Sequence, residues 1–470
     1  MLSNFSGPII SSLGTLDVLV FVATLLLTFT IVAWRSHRKS NSDFLDFMVM
    51  GRSLSLPLFV GTLVSTWYGA IHRVTQISFE HGIFNFISQG LFWYFCYICF
   101  AFFVVSKVRA QSVISIPELI AQKFGSKSAS LSAVLIFIKV LPIGYIVALG
   151  AALNMIFGWS MPTAMAAGTT MVVIYSFKGG LRSVVLTDFV QFLLMFAAVI
   201  SVAMLSISKF GGWEFLSTAL PATHLRPESN LGLGNLIVWL FIAISTTFLN
   251  PTFYQRCWAA KDDFTAKWGI VIATLCWFIF DVCTTSIGLY ARATMPQASA
   301  FTAWIVYPLQ ILPEGMRGLF LGGVLATIIS TLDSFLLMAG SLWSYDLWRG
   351  KSLAPMWVHR LMIAIMGVVA YLLASIYEGS FEALWRLVKG FFAGCMIVPL
   401  FTAIFLKQRL PDNLLATSIV FSATAMLAWK TYGPESIDSF YVGAIVSMLV
   451  IATGAIRVKV YKHPPISKLT

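Results

Sequence analysis

Gly61-Thr62-Leu63-Val64-Ser65-Thr66-Trp67-Tyr68-Gly69-Ala70 decides the fold. The stretch lies inside an otherwise apolar run, 49–74, and sets small and polar residues where a bilayer would have its middle. Glycine loosens a helix, and an interrupted helix leaves main-chain carbonyls without their usual donors. A comparable run, Ser245-Thr246-Thr247-Phe248-Leu249-Asn250-Pro251, follows about five spans later, and its proline removes a backbone bond outright. Ordinary packing of small residues between helices explains either run alone. The two together, with membrane direction swapped, point to an inverted repeat whose unwound segments line a transport site. Freed carbonyls in a protein-lined cavity suit Na+, a hard cation.

The rest of the chain supports a membrane reading. Of 470 residues, 58% are hydrophobic and 11% charged, and the mean hydropathy is +0.85. One soluble core cannot hide that much apolar surface, and lipid admits only helices or closed barrels. Long continuous apolar runs, rather than strict alternation, exclude the barrel. The expected architecture is all-α, with about thirteen spans near 15–34, 49–74, 84–106, 131–157, 160–176, 184–207, 235–254, 268–291, 318–344, 361–378, 381–406, 413–430 and 439–456. One transmembrane domain would cover 1–470: an extra helix (15–34), a first repeat (49–207), a second repeat (235–406), extra helices (413–456) and a basic tail (457–470). The outer loops, 208–234 and 292–317, are too short for a domain. The second holds Pro296, Trp304, Pro308 and Pro313 and suits a short interfacial helix.

The net charge of +12 would suggest nucleic acid in a soluble protein. In a membrane chain it sets topology instead. Arg35, Arg38 and Lys39 follow the first apolar run, which has no basic segment before it. No cleavable signal is evident, and the expectation is an N-terminus outside an inner or plasma membrane with the C-terminus in the cytoplasm. Most Lys and Arg then fall on the cytoplasmic face, among them Arg109, Lys123, Arg182, Arg256, Lys261, Lys351 and Arg409. The six cysteines, including Cys96 and Cys99, sit in or beside apolar runs and read as structural. Phosphate loops, zinc spacings and nucleophile elbows are missing, so neither an enzyme nor an organic cofactor is expected.

The ninth span carries Thr327, Ser330, Thr331, Asp333 and Ser334 within eight residues. Positions 327, 330, 331 and 334 share one helical face, a plausible wall for an alkali cation. Interhelical hydrogen bonding by Ser and Thr is the plainer reading, and Asp333 weakens it. Asp188 opens the sixth span near the cytoplasmic surface, where it could be solvated or cap a helix. Asp281 lies deeper, with Thr284 and Thr285 a turn on. It either pairs with a base or stays protonated, and the sequence assigns it no role. The membrane cations Arg73, Lys139, Arg386 and Lys389 could each snorkel to an interface. An anionic solute is favoured if Arg73 or Lys139 faces the central cavity.

Four ordered motifs resemble the sodium:solute symporter family: Gly51-Arg52-Ser53-Leu54 followed by Ser65–Ala70; Lys178-Gly179-Gly180-Leu181-Arg182 running to Thr187-Asp188 and Gln191; Gln255-Arg256 with Ala259-Ala260-Lys261; and Ser330-Thr331-Leu332-Asp333-Ser334. They keep family order across about residues 45–410. The resemblance implies the leucine-transporter-like core of five plus five helices, with broken helices and extra helices at both ends. It also implies a sodium held by the carbonyls of Ser65, Tyr68 and Thr327 and the hydroxyls of Ser330 and Thr331. Thr327 replaces a usual alanine. A second cation site, present in some members, maps to Asp188, Ser330, Asp333 and Ser334, with Asp333 standing where those members carry serine. The solute site would lie between the broken helices, with Trp67, His72, Gln89, Thr246 and Asn250 as candidates. Lys139 lies close to where some acid-transporting members carry a cation.

The expectation is therefore a sodium-coupled symporter importing a small polar organic solute, working in the lipid bilayer as a monomer or weak homo-oligomer, with no nucleic-acid partner. A proton-coupled symporter using Asp188 and Asp333, and a membrane sensor that no longer transports, are the alternatives.

Overall fold

A computed structural model describes residues 7–37, 44–69, 71–348, 355–376, 381–434 and 438–457. Arg38, Lys39, Ala70, Lys351 and residues 458–470 of the basic tail lie outside the described residues, as do the side chains of Arg35, Lys178, Arg386 and Lys389. The helices, in chain order, are α1 (Thr15–His37), α2 (Leu56–Ser65), α3 (Ile71–His81), α4 (Phe86–Arg109), α5 (Ser126–Val140), α6 (Ile143–Phe157), α7 (Met161–Phe210) and α8 (Leu233–Phe248). They continue with α9 (Pro251–Ala259), α10 (Asp263–Thr294), α11 (Ala300–Ile311), α12 (Met316–Ser341), α13 (Met356–Ile376), α14 (Phe381–Phe405), α15 (Asn413–Tyr432) and α16 (Ser439–Arg457). The fold is a polytopic helical one, as the hydropathy implied. Among the described residues nine helical stretches are long and apolar enough to cross a membrane, and shorter apolar helices complete the expected spans. The only bridge between extended segments among them joins Leu54 to Ala260.

The boundaries have local causes. α2 and α3 are the two halves of the second expected span, and α8 and α9 of the seventh. Pro251 starts α9 where its missing N–H costs nothing. The fifth and sixth spans run on as α7 with a break at Gly180, whose φ of 55° and ψ of −160° only glycine adopts easily. A side chain there would also strike Phe47. The outer loop 292–317 does hold a short helix, α11.

The chain divides into two compact units, 1–110 with 140–382, and 111–139 with 383–470. In the larger unit α12 is the central helix: 89% of its most apolar window is buried, against α7, α1, α13 and α6. In the smaller unit α15 packs along α16, tied by Ser418 to Ser447 at 2.8 Å. There the Asp412 carboxylate caps α5, accepting the N–H groups of Lys127 (3.0 Å) and Ser128 (2.8 Å).

Candidate functional site

The first site is built where α2 stops. Beyond Ser65 the chain makes a turn through Thr66, Trp67 and Tyr68 before α3 begins at Ile71. The Ser65 carbonyl is thereby freed for side chains of α12. Ser330 Oγ donates to it at 2.8 Å and also lies 3.1 Å from the Thr327 carbonyl. Thr331 Oγ1 is 3.5 Å from Ser65 O and 3.2 Å from Thr327 O. All four residues are fully buried. Two carbonyls and two hydroxyls thus converge from two helices, four of the five donors expected. The fifth, the Tyr68 carbonyl, accepts the Ile71 N–H at 3.0 Å and keeps a second lone pair. Gly69 permits the close approach, since a Cβ there would lie 2.6 Å from both Cβ and Oγ1 of Thr331. The donor set is uncharged and all oxygen, which suits a hard monovalent ion. Among the described residues no cluster of three His, Cys, Asp or Glu could hold a metal.

The residues of the expected second cation position meet differently. Asp188 is neither solvated nor a helix cap; it is fully buried. Its Oδ2 accepts from Thr62 Oγ1 at 2.5 Å and Thr66 Oγ1 at 3.3 Å. Arg256, read from sequence as a cytoplasmic loop charge, is instead completely buried on α9. Its Nη2 donates to Ser334 Oγ at 2.7 Å and Thr66 Oγ1 at 3.1 Å and lies 3.7 Å from Asp188 Oδ2. Asp333, also buried, is a second charge partner of the same guanidinium. Gln255 holds Nη1 at 3.0 Å and reaches the Met48 carbonyl at 3.1 Å. So Asp188, Asp333 and Ser334 do come together, around an arginine the sequence reading missed as a site residue, while Ser330 belongs to the first site.

The solute candidates scatter. Trp67 sits at the break with its ring edge-on to Tyr97 (5.7 Å) and Phe253 (5.6 Å) and beside Trp277 (6.1 Å). His72, on α3, lies by the Trp304 ring at 6.0 Å, and Arg73 is exposed. Gln89 is on a π-helical stretch of α4, its Nε2 buried without a hydrogen-bond partner. Thr246 bonds back to the Ile242 carbonyl at 2.6 Å. Asn250 caps α9, its Oδ1 accepting from Thr252 N (3.0 Å) and Oγ1 (2.8 Å). Lys139 lies over the Phe392 ring at 4.8 Å in the smaller unit.

Comparison with known proteins settles the family. The profile of the sodium:solute symporter family matches residues 74–413. The chain belongs to that family. Relatives of this symporter-family chain include the osmoregulated proline transporter OpuE of Bacillus subtilis, 24% identical, with 93% of this chain and 95% of the relative aligned. The sodium/proline symporter of Salmonella typhimurium is 26% identical over 71% of this chain and 72% of its own. High-affinity choline transporter 1 of Drosophila melanogaster is 23% identical over 80% of this chain; the alignment spans only 64% of that protein. Among solved structures, a Na+-coupled sialic acid symporter in a substrate-bound, outward-open state superposes with a TM-score of 0.79 at 19% identity, covering 95% of this chain and 98% of its own. That likeness establishes the fold. Family members are transporters, so this symporter-family chain is not an enzyme.

Proposed function

We propose that the protein is a sodium-coupled secondary-active symporter that imports a small polar organic solute by alternating access. The observation that carries the reading is the convergence of Ser65 O, Thr327 O, Ser330 Oγ and Thr331 Oγ1 at the break in the first core helix. The two hydroxyls donate to the carbonyls. A sodium ion entering between them accepts all four oxygens, and the Tyr68 carbonyl would be the fifth. The ion then joins α12 to α2, and any conformation that separates those helices releases it. An ion moves the equilibrium only by such differential affinity. The test is solute uptake into proteoliposomes with and without an inward sodium gradient; uptake that ignores the gradient rejects sodium coupling. The excess of Lys and Arg in alternate loops supports an outside N-terminus and a cytoplasmic C-terminus.

Asp333 supports a second ion. Asp188 and Asp333 face a single guanidinium, an excess of one negative charge that a further sodium or a proton would balance. Sodium dependence with a Hill coefficient above about one selects sodium. Uptake driven by outside acid without sodium, lost in Asp333→Asn, selects the proton.

A further inference from the structure

The sequence left Asp281 without a role, and the structure gives it two tyrosine hydroxyls as partners, next to an aromatic cluster. Asp281 lies near the middle of α10, a 32-residue helix, and is 3% exposed. Tyr68, in the break itself, donates to its Oδ1, and Tyr94 of α4 donates to its Oδ2. Among the described residues no Lys, Arg or His comes within ion-pair distance of it. A carboxylate at that depth is costly in lipid and ordinarily has a positive partner.

Its neighbours are built for one. Trp277, one turn before Asp281 on α10, lies with its ring centroid 4.4 Å from that of Tyr97 of α4, the two planes tilted by 42°. Trp67 of the break and Phe253 of α9 close the same cluster. Phe280 lies 4.2 Å from the Tyr68 ring. Gly90 leaves room for the Tyr94 hydroxyl that reaches Asp281, since a Cβ there would stand 2.8 Å from it. Electron-rich ring faces beside one carboxylate attract a weakly hydrated organic cation, through cation–π contact on one side and charge on the other. An organic anion would meet repulsion here.

We propose that the transported solute carries a positively charged amine or quaternary ammonium group, which Asp281, held by Tyr68 and Tyr94, binds against the rings of Trp67, Tyr97 and Trp277. The inference rests on the break region being the transport site. A bound ammonium would take over as partner of the carboxylate, with the tyrosine hydroxyls holding both its oxygens in place.

Thermal shift and calorimetry on the purified full chain test it, using tetramethylammonium and choline as probes. 3,3-Dimethyl-1-butanol serves as choline's neutral isostere and succinate as an anion. Sodium and potassium are compared in each case. The cations stabilise the protein and the isostere and succinate do not. Asp281→Asn weakens cation binding about 10- to 150-fold, the loss of one charged hydrogen-bonding partner, while stabilisation by sodium persists. Tyr94→Phe gives a smaller loss. Equal stabilisation by the neutral isostere, stabilisation by succinate instead, or unchanged cation binding in Asp281→Asn overturns the proposal. Cation binding without any sodium response in the wild type overturns the sodium reading and leaves the ammonium site standing.

Discussion

Replacing Gly69 by alanine tests the ion site with a single methyl group. The new Cβ would lie 2.6 Å from Cβ and Oγ1 of Thr331 and 2.8 Å from Cδ1 of Tyr145. Carbon atoms pack best at about 3.5–4.0 Å, so the chain must move by about 1 Å. Thr331 cannot retreat, being fully buried on the most enclosed helix with its hydroxyl bonded to the Thr327 carbonyl one turn back. The break therefore moves instead, and with it the carbonyls of Ser65 and Tyr68. Coordination distances tolerate only about 0.2 Å. Overpacking of this kind costs about 1–3 kcal/mol. If that falls on the ion-bound geometry, half-saturating sodium rises by about 5- to 150-fold at 1.4 kcal/mol per tenfold. The assay is a sodium titration of melting temperature on purified protein, with potassium holding ionic strength constant. Gly212→Ala is the control, since nothing lies within 4 Å of its added Cβ. A Gly69→Ala protein with wild-type sodium half-saturation would refute the placement of the ion between the break and Thr331.

Ser330→Ala and Thr331→Ala each remove one hydroxyl donor and should raise half-saturating sodium by about 10- to 150-fold in the same titration, the range for a hydrogen-bonding partner of a charge. Arg256→Gln leaves two buried carboxylates without their guanidinium, a loss of about 3–5 kcal/mol; its melting temperature should fall, and a second change, Asp188→Asn or Asp333→Ser, should recover part of it. Arg256→Lys keeps the charge and loses the fork that reaches Ser334, Thr66 and Gln255 together, so uptake should drop while the fold, followed by circular dichroism, survives. Tyr68→Phe removes a donor to Asp281 and leaves the main-chain carbonyl in place. It should therefore shrink the factor by which sodium tightens ammonium binding, measured by calorimetry with and without the ion, more than it shifts the sodium titration itself.

The breaks were legible because they violate a one-dimensional rule. Polar and small residues in an apolar run, or a proline after Asn250, signal an interrupted helix whatever packs around them. The hydroxyl face of α12 was legible for the same reason, since 327, 330, 331 and 334 fall on one helical stripe without reference to any partner. Arg256 was hidden because its burial is decided elsewhere. Nothing in Gln255-Arg256-Cys257 distinguishes a loop charge from a buried one until Thr66 arrives from the break and Asp188 and Ser334 from two other helices. The same holds for Asp281, whose tyrosine donors lie 213 and 187 residues away. Asn250 shows a role that a local rule alone predicts: its polarity near a break suggested a solute contact, and asparagine immediately before a proline-led helix is also a cap, the role its Oδ1 takes here.

Tyr68 is where the two chemistries touch. Its main chain follows Ser65 around the turn that faces Ser330 and Thr331, and its side chain crosses to Asp281. A residue in regular helix would carry its carbonyl along the helix axis, already bonded, and could serve only one of these sites. At the break the Tyr68 carbonyl, though it accepts the Ile71 N–H, keeps a lone pair for an ion, while the phenol reaches Asp281. An ion that fixes the turn against α12 therefore fixes the position of the hydroxyl that orients Asp281, and by reciprocity anything that fixes Asp281 stiffens the turn for the ion. No long-range relay is needed. The coupling distance is one residue, and the small, polar, glycine-ended stretch that breaks the helix is what makes one residue sufficient.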